Sequence, residues 1–165
     1  MKRMIIVMGV AGCGKTTVGE RLAQATGFQY IDGDQLHPQA NIEKMSSGDA
    51  LTDDDRWPWL EAIGETLAQA NGSIIIGCSA LKRSYRDVIR NRAGGPVSFL
   101  HLSGSRQLIG ERMNYRTGHF MPPSLLDSQF AALEPPTADE EAVTIDIARP
   151  LDDTIAELAR QFKGV

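Results

Sequence analysis

Residues 9–16 read Gly-Val-Ala-Gly-Cys-Gly-Lys-Thr, the spacing G-x-x-x-x-G-K-[ST]. The chemistry this pattern suits is a grip on a nucleoside triphosphate. Glycines let the main chain curl until successive N–H groups point at phosphate oxygens, and a helix opening at Lys15 adds the positive end of its dipole. The Lys15 ammonium is a point charge for the β- and γ-phosphates, and the Thr16 hydroxyl is a candidate Mg²⁺ ligand. The expected nucleotide-binding set is Gly9, Val10, Ala11, Gly12, Cys13, Gly14, Lys15, Thr16 and Thr17. A dinucleotide fingerprint fits poorly, because glycines 9, 12 and 14 do not fall in the register G-x-G-x-x-G.

A second group of reactive side chains is Asp32-Gly33-Asp34. At the end of a strand beside the phosphate loop, one carboxylate can hold Mg²⁺ water and the other can take the proton of an attacking hydroxyl. The competing reading is a plain turn, which Asp and Gly both favour; the phosphate loop tips the balance toward catalysis. No Asn-Lys-x-Asp guanine motif is present, and the apolar run at 74–76 ends in Gly77-Cys78-Ser79 without the acid of a motor or switch ATPase. Asp146 follows Val143 and Ile145 and could imitate such an acid, but a polar position on a half-buried, edge-like strand is the better explanation. The pattern favours a small-molecule kinase over a switch.

These groups need a scaffold of alternating strands and helices. Met4–Met8 is a continuous apolar run of buried-strand type. Further strands are expected over Phe28–Ile31, Ser73–Cys78, Val97–Leu102 and Val143–Ile147. Helices are expected over Lys15–Ala25, within His37–Gly48, from Asp53 to about Ala70 with Pro58 in its first turn, and over Leu81–Arg92, Ser105–Tyr115, Ser124–Leu133 and Asp152–Phe162. Strands separated by helices imply a parallel sheet covered on both faces. The expected class is therefore α/β, a P-loop NTPase-type three-layer α/β/α fold with a mainly five-stranded parallel sheet and a mobile lid, all within one domain spanning 1–165.

Composition agrees. A chain of 165 residues with 42% hydrophobic content can fill one core, and a net charge of −4 argues against a broad basic nucleic-acid surface. Cys13 and Cys78 show neither disulfide nor metal spacing, which fits a reducing cytoplasm. The apolar runs are too short for an export signal or a membrane span, so no membrane partner is expected.

Longer blocks carry a more specific signal. Asp32-Gly33-Asp34-Gln35-Leu36-His37-Pro38, Asn41–Met45, Leu51–Arg56 with Trp59-Leu60, Cys78–Lys82 with Tyr85-Arg86-Asp87, Gly118-His119-Phe120, and Gln129-Phe130 through Leu133-Glu134-Pro135 together resemble the signature of the gluconokinases. The resemblance runs from the phosphate loop to Pro150. It implies ATP- and Mg²⁺-dependent phosphorylation of gluconate at its terminal hydroxyl, and a possible homodimer. It implies Lys15, Asp34, Asp32 and Arg116 as the catalytic set, with Thr16 and Asp32 on the metal side; by similarity with shikimate kinases, the roles of Asp32 and Asp34 could be shared or exchanged. Arg56 occupies a place resembling the carboxylate-binding Arg of shikimate kinases. His37, Lys44, Lys82, Arg86, His119 and Gln129 complete the expected acceptor-binding set, each with an ordinary loop or surface role as its rival. Arg112 and Arg116 are expected to meet phosphate from a lid over about 112–123, and Arg149-Pro150 lie where related kinases place adenine. The alternative acceptors are shikimate or a nucleoside monophosphate; a binding module without transferase activity is the alternative from another class.

Overall fold

The computed structural model describes residues 2–114, 123–140 and 142–163. Strands β1 (Met4–Met8), β2 (Gln29–Asp32), β3 (Ile74–Gly77), β4 (Ser98–Ser103) and β5 (Val143–Asp146) form one parallel sheet in the order β2-β3-β1-β4-β5. Helices α1 (Lys15–Thr26), α2 (Gln39–Ser46), α3 (Asp53–Gln69), α4 (Arg83–Ala93), α5 (Arg106–Asn114), α6 (Pro123–Ala132) and α7 (Leu151–Lys163) complete the described elements, with short 3₁₀ turns at Gly33–Leu36 and Ala138–Glu140. The five-stranded parallel α/β/α architecture is the one the sequence predicts.

The central strand shows why. Side chains alternate across a strand, and β1 is apolar on both faces because helices cover both. Ile5 and Val7 pack with Val18 and Leu22 of α1 and Ile155, Leu158 and Phe162 of α7. Ile6 and Met8 face the other way, into Leu60, Ile63 and Leu67 of α3 and Tyr85 and Ile89 of α4. All four strand residues are fully buried, each worth about 1.5–3 kcal/mol relative to exposure. Ile6 lies opposite Ile76 on one side and Phe99 on the other, which locks the register of the three inner strands.

This strand order sets the place of the site. The chain leaves β1, lays β2 two positions away, returns to put β3 beside β1, and then crosses to β4 on the other flank. The loop after β1 therefore sits where the winding reverses, the crevice in which open α/β sheets hold ligands.

Helix α3 starts as expected at Asp53, and its start is fixed by a reciprocal cap. Thr52 Oγ1 accepts from Asp55 N–H at 3.2 Å, and Asp55 Oδ2 accepts from Thr52 N–H at 2.8 Å. One expectation is corrected: Pro58 is the sixth residue of this helix, beyond its first turn. It stands on the exposed side, where water can satisfy the carbonyl that its missing N–H leaves free.

Candidate active site

The phosphate loop runs from the end of β1 into α1. Gly14 takes the N-cap position at φ 100°, a conformation closed to most side chains, and no side chain caps the helix. The first N–H groups of α1 are thus left for an anion. Lys15 turns back into the loop, its Nζ donating to the carbonyls of Gly9 at 3.0 Å and Val10 at 3.1 Å. The ammonium is therefore already held over the space a triphosphate would fill.

A cavity of about 330 Å³ lies on the α1–β5 side of this loop. Gly12, Cys13, Gly14 and Thr17 line it from the loop and α1, and Arg112, Ile147 and Arg149 line it from the other elements. Arg112 is fixed by a 2.7 Å hydrogen bond from Nη2 to the Ile147 carbonyl, and Arg149 by an ion pair with Glu157 at 2.8 Å. Pro150 is exposed and does not line this cavity, in contrast to its expected role; its carbonyl instead accepts from Thr154 N–H at 3.2 Å.

On the opposite side of Lys15 a second cavity of about 270 Å³ is lined by Lys15, Thr16, Tyr30, Asp32, Asp34 and Gln129, among others. Asp32 ends β2 and caps the following turn, its Oδ1 accepting from Asp34 N–H at 2.9 Å. Gly33 between them lets the turn lie directly on β3, since a Cβ there would come within 2.4 Å of the Gly77 carbonyl. Trp59 Nε1 donates to the Gly33 carbonyl at 2.8 Å and pins the turn from the α3 side. Burial and the neighbouring charge of Asp32 push the Asp34 carboxyl above its ordinary range, with His37 and Lys15 pulling the other way. A carboxylate raised in this manner is a better proton acceptor near neutral pH.

The same cavity suits a hard cation. Thr16, Asp32 and Asp34 offer oxygen only. The described residues contain no cluster of three or more His, Cys, Asp or Glu that could form an all-protein cage. Mg²⁺ commonly takes one or two protein oxygens and completes its shell with phosphate and water. Tyr30 Oη, a buried side-chain atom with no hydrogen-bond partner within 3.5 Å among the described residues, also belongs to a residue lining this space and adds one more oxygen beside Thr16.

A third cavity, about 530 Å³, adjoins the second and is walled by Arg56, Trp59, Lys82, Tyr85, Ser79 and Gln129, among others. Arg56 and Lys82 both turn toward Asp53, at 3.0 Å and 3.5 Å. Tyr85 donates its hydroxyl to Asp53 and accepts from Arg56 at 3.2 Å. The hydrogen bond from Tyr85, then Lys82 and Arg56, hold Asp53 below the ordinary carboxyl range. Arg56 and Lys82 bring two cations to this end and Asp53 and Asp49 two carboxylates, so an incoming monoanion would compete with Asp53 for the guanidinium and the ammonium. Asp53 and Tyr85 are candidate site residues that sequence reasoning missed. The signal available was Asp53-x-x-Arg56 at helical spacing, which reads as an ordinary surface ion pair.

Other expected acceptor residues are placed differently. Arg86 is fully buried and cannot reach an acceptor. Its Nε and Nη2 bond Glu140 at 2.7 and 3.1 Å, and its remaining donors take the carbonyls of Ala80, Leu81 and Glu134. It is a tie for the β3–α4 turn, whose Ala80 sits at φ 44°. Lys44 is paired with Asp55 at 2.7 Å and lines none of the three cavities. His37 likewise lines none of them; it stacks on Trp59 with ring centroids 4.1 Å apart and meets Asn41 at 3.3 Å. Burial lowers its pKa. Arg116 and His119 lie outside the described residues.

Comparison with known proteins fits this geometry. A family model described as an AAA domain matches residues 4–136. The gluconokinase of Gluconobacter oxydans (strain 621H) is 44% identical over 165 residues, covering 98% of this chain and 92% of that protein. The thermosensitive gluconokinase of Escherichia coli (strain K12) is 48% identical over 161 residues, covering 94% and 84%. A solved gluconokinase from Sinorhizobium meliloti 1021 superposes with a TM-score of 0.85 at 50% identity, covering 97% of this chain and 95% of that one. A shikimate kinase from Bacteroides thetaiotaomicron, at 16% identity and a TM-score of 0.71 with full coverage of both chains, shares the fold.

Proposed function

The chain belongs to the gluconokinase family of P-loop kinases, and from that premise we propose that it transfers the γ-phosphoryl group of ATP to the terminal hydroxyl of D-gluconate, giving 6-phospho-D-gluconate and ADP. The observation that carries this reading is the adjoining pair of cavities, one holding Lys15 and Asp34 and the next holding Arg56 and Lys82. A chain acceptor with a carboxylate at one end and a primary alcohol at the other spans them.

ATP enters along Gly12–Thr17 with its base toward Ile147 and Arg149. The uncapped N–H groups of α1 and the Lys15 ammonium take the β- and γ-phosphates, so Lys15 exchanges two carbonyl partners for phosphate oxygens. Arg56 and Lys82 bind the acceptor carboxylate, and Trp59 walls its carbon chain. Asp34 orients the terminal hydroxyl and receives its proton as the oxygen attacks phosphorus. Thr16 and Asp32 would hold Mg²⁺ on the protein side, where it would supply charge compensation for the phosphates. The whole of 1–165 acts as one kinase domain. The cytoplasm as its compartment is supported by two free, buried cysteines, and the homodimer is a further part of the proposal, resting on the family resemblance alone.

Shikimate kinases share the fold at 14–17% identity, whereas the full-length relatives at 37–48% are named gluconokinases or probable gluconokinases. Turnover of gluconate, shikimate and nucleoside monophosphates with ATP tests the acceptor. Gluconate is expected to be fastest, and a higher kcat/KM for either rival would remove the assignment.

A further inference from the structure

Two residues line both the Asp34 cavity and the Arg56–Lys82 cavity: Ser79 and Gln129. They mark the doorway through which an acceptor reaches the γ-phosphate. Both are tied to the opening of the phosphate loop. Gly9 N–H donates to the Ser79 carbonyl at 3.2 Å, and Ala11 N–H donates to Gln129 Oε1 at 2.6 Å.

The second bond fixes the orientation of the carboxamide. A main-chain N–H can only donate, so the amide oxygen must face the loop and the NH₂ group must face away from it. Among the described residues that NH₂ has no protein partner. The helix carrying it is well anchored: Leu126 of α6 is buried in the core, Glu134 N–H just past its end donates to the Leu81 carbonyl at 2.7 Å, and Glu134 Oε1 accepts from Arg83 N–H at 3.0 Å. Two donors are thus held in place at the doorway.

The geometry points to Gln129 as a positioning residue that couples the phosphate loop to the acceptor. Its Oε1 keeps Ala11 N–H in register while its Nε2 donates to the acceptor hydroxyl on the carbon next to the one phosphorylated. This inference rests on the proposed acceptor: with the C6 hydroxyl at Asp34 and the carboxylate at Arg56 and Lys82, the group passing the doorway is the C5 hydroxyl of gluconate.

A substrate–enzyme double-mutant cycle tests it, using kcat/KM for gluconate and for gluconate deoxygenated at C5, with wild type and Gln129→Leu. A neutral hydrogen bond of this kind is worth roughly 1 kcal/mol, so the wild type is expected to prefer gluconate by about five- to tenfold. In Gln129→Leu the preference falls to within about twofold. If the variant slows both acceptors alike and keeps the wild-type preference, Gln129 only braces the loop and the inference is overturned. If the wild type phosphorylates neither compound, the acceptor assignment fails instead. Gln129→Ala, which leaves neither donor nor acceptor at the doorway, supplies the same ratio should the leucine variant not fold; a preference retained there is equally decisive against the inference.

Discussion

Replacing Arg86 by leucine is expected to unsettle the β3–α4 turn more than any surface ion-pair change. The side chains of Arg86 and Glu140 are each 1% exposed, and Arg90 reaches Glu140 from a second direction at 2.8 Å. Burial alone would push the Glu140 carboxyl up, but hydrogen bonds from Arg86 and Arg90 override it and hold the pKa at about 2, against an ordinary 4.5. By linkage a depression of that size corresponds to about 3 kcal/mol of stability. The independent expectation for breaking one side of a buried pair is about 3–5 kcal/mol, since the surviving charge is left without its partner. Arg86→Leu is therefore expected to destabilise the fold by about 3–5 kcal/mol, lowering Tm by roughly 6–20 °C for a domain of this size. Urea and thermal unfolding at neutral pH measure it. The sign of the pH dependence follows from a depressed carboxyl: the contribution is complete above pH 4.5 and is lost as pH falls toward about 2. The wild type should accordingly lose more stability over that interval than Arg86→Leu. A variant within about 1 kcal/mol of wild type, or one with the same acid profile, would refute the reasoning.

Lys15→Ala removes the ammonium that rests on the Gly9 and Val10 carbonyls and should abolish phosphoryl transfer; single-turnover assays with labelled ATP check this, and unchanged turnover would remove the phosphate-loop reading. Asp34→Asn should depress kcat by about 10²–10⁴-fold with little change in ATP affinity. Because the Asp34 pKa is raised, its ionised form weakens the fold at neutral pH, so the same variant should melt higher than wild type; a normal kcat would place the proton elsewhere. The acid limb of kcat/KM in the wild type should lie above the ordinary aspartate value of 3.8, and a midpoint at or below it would contradict the environment described. Arg56→Met should raise KM for gluconate by roughly 10- to 100-fold, the scale of a lost hydrogen bond to a charged group, with the KM for ATP unaltered; an equal rise in both constants would speak against a carboxylate contact.

The strands and the phosphate loop were readable from sequence because their signals are local. A strand buried on both faces is apolar throughout, as Met4–Met8 is, and the loop motif fixes its own glycines. Arg86 was not readable. A guanidinium one turn after Lys82 looks the same whether it faces water or a buried acid, and its partner Glu140 lies 54 positions further along. Gln129 was expected near the acceptor, but its bond to Ala11 spans 118 positions and belongs to the tertiary fold alone. The cap at Thr52 was available as a local T-x-x-D pattern, yet the three consecutive acids that follow read first as dipole partners.

The packing divides into two apolar clusters, one beneath each face of the sheet. Most of the side chains under the nucleotide cavity belong to the first, while the acceptor wall draws on both, Trp59 and Tyr85 from the second and Leu81 from the first. The enzyme thus rests on two foundations divided by a rigid floor of strands. Substitutions that loosen the second foundation, beneath Trp59 and Tyr85, can retune the acceptor wall and leave the nucleotide cavity largely alone, whereas the first, which also carries Leu81, is shared by both, so a scaffold built this way can change its acceptor without relearning how to hold ATP.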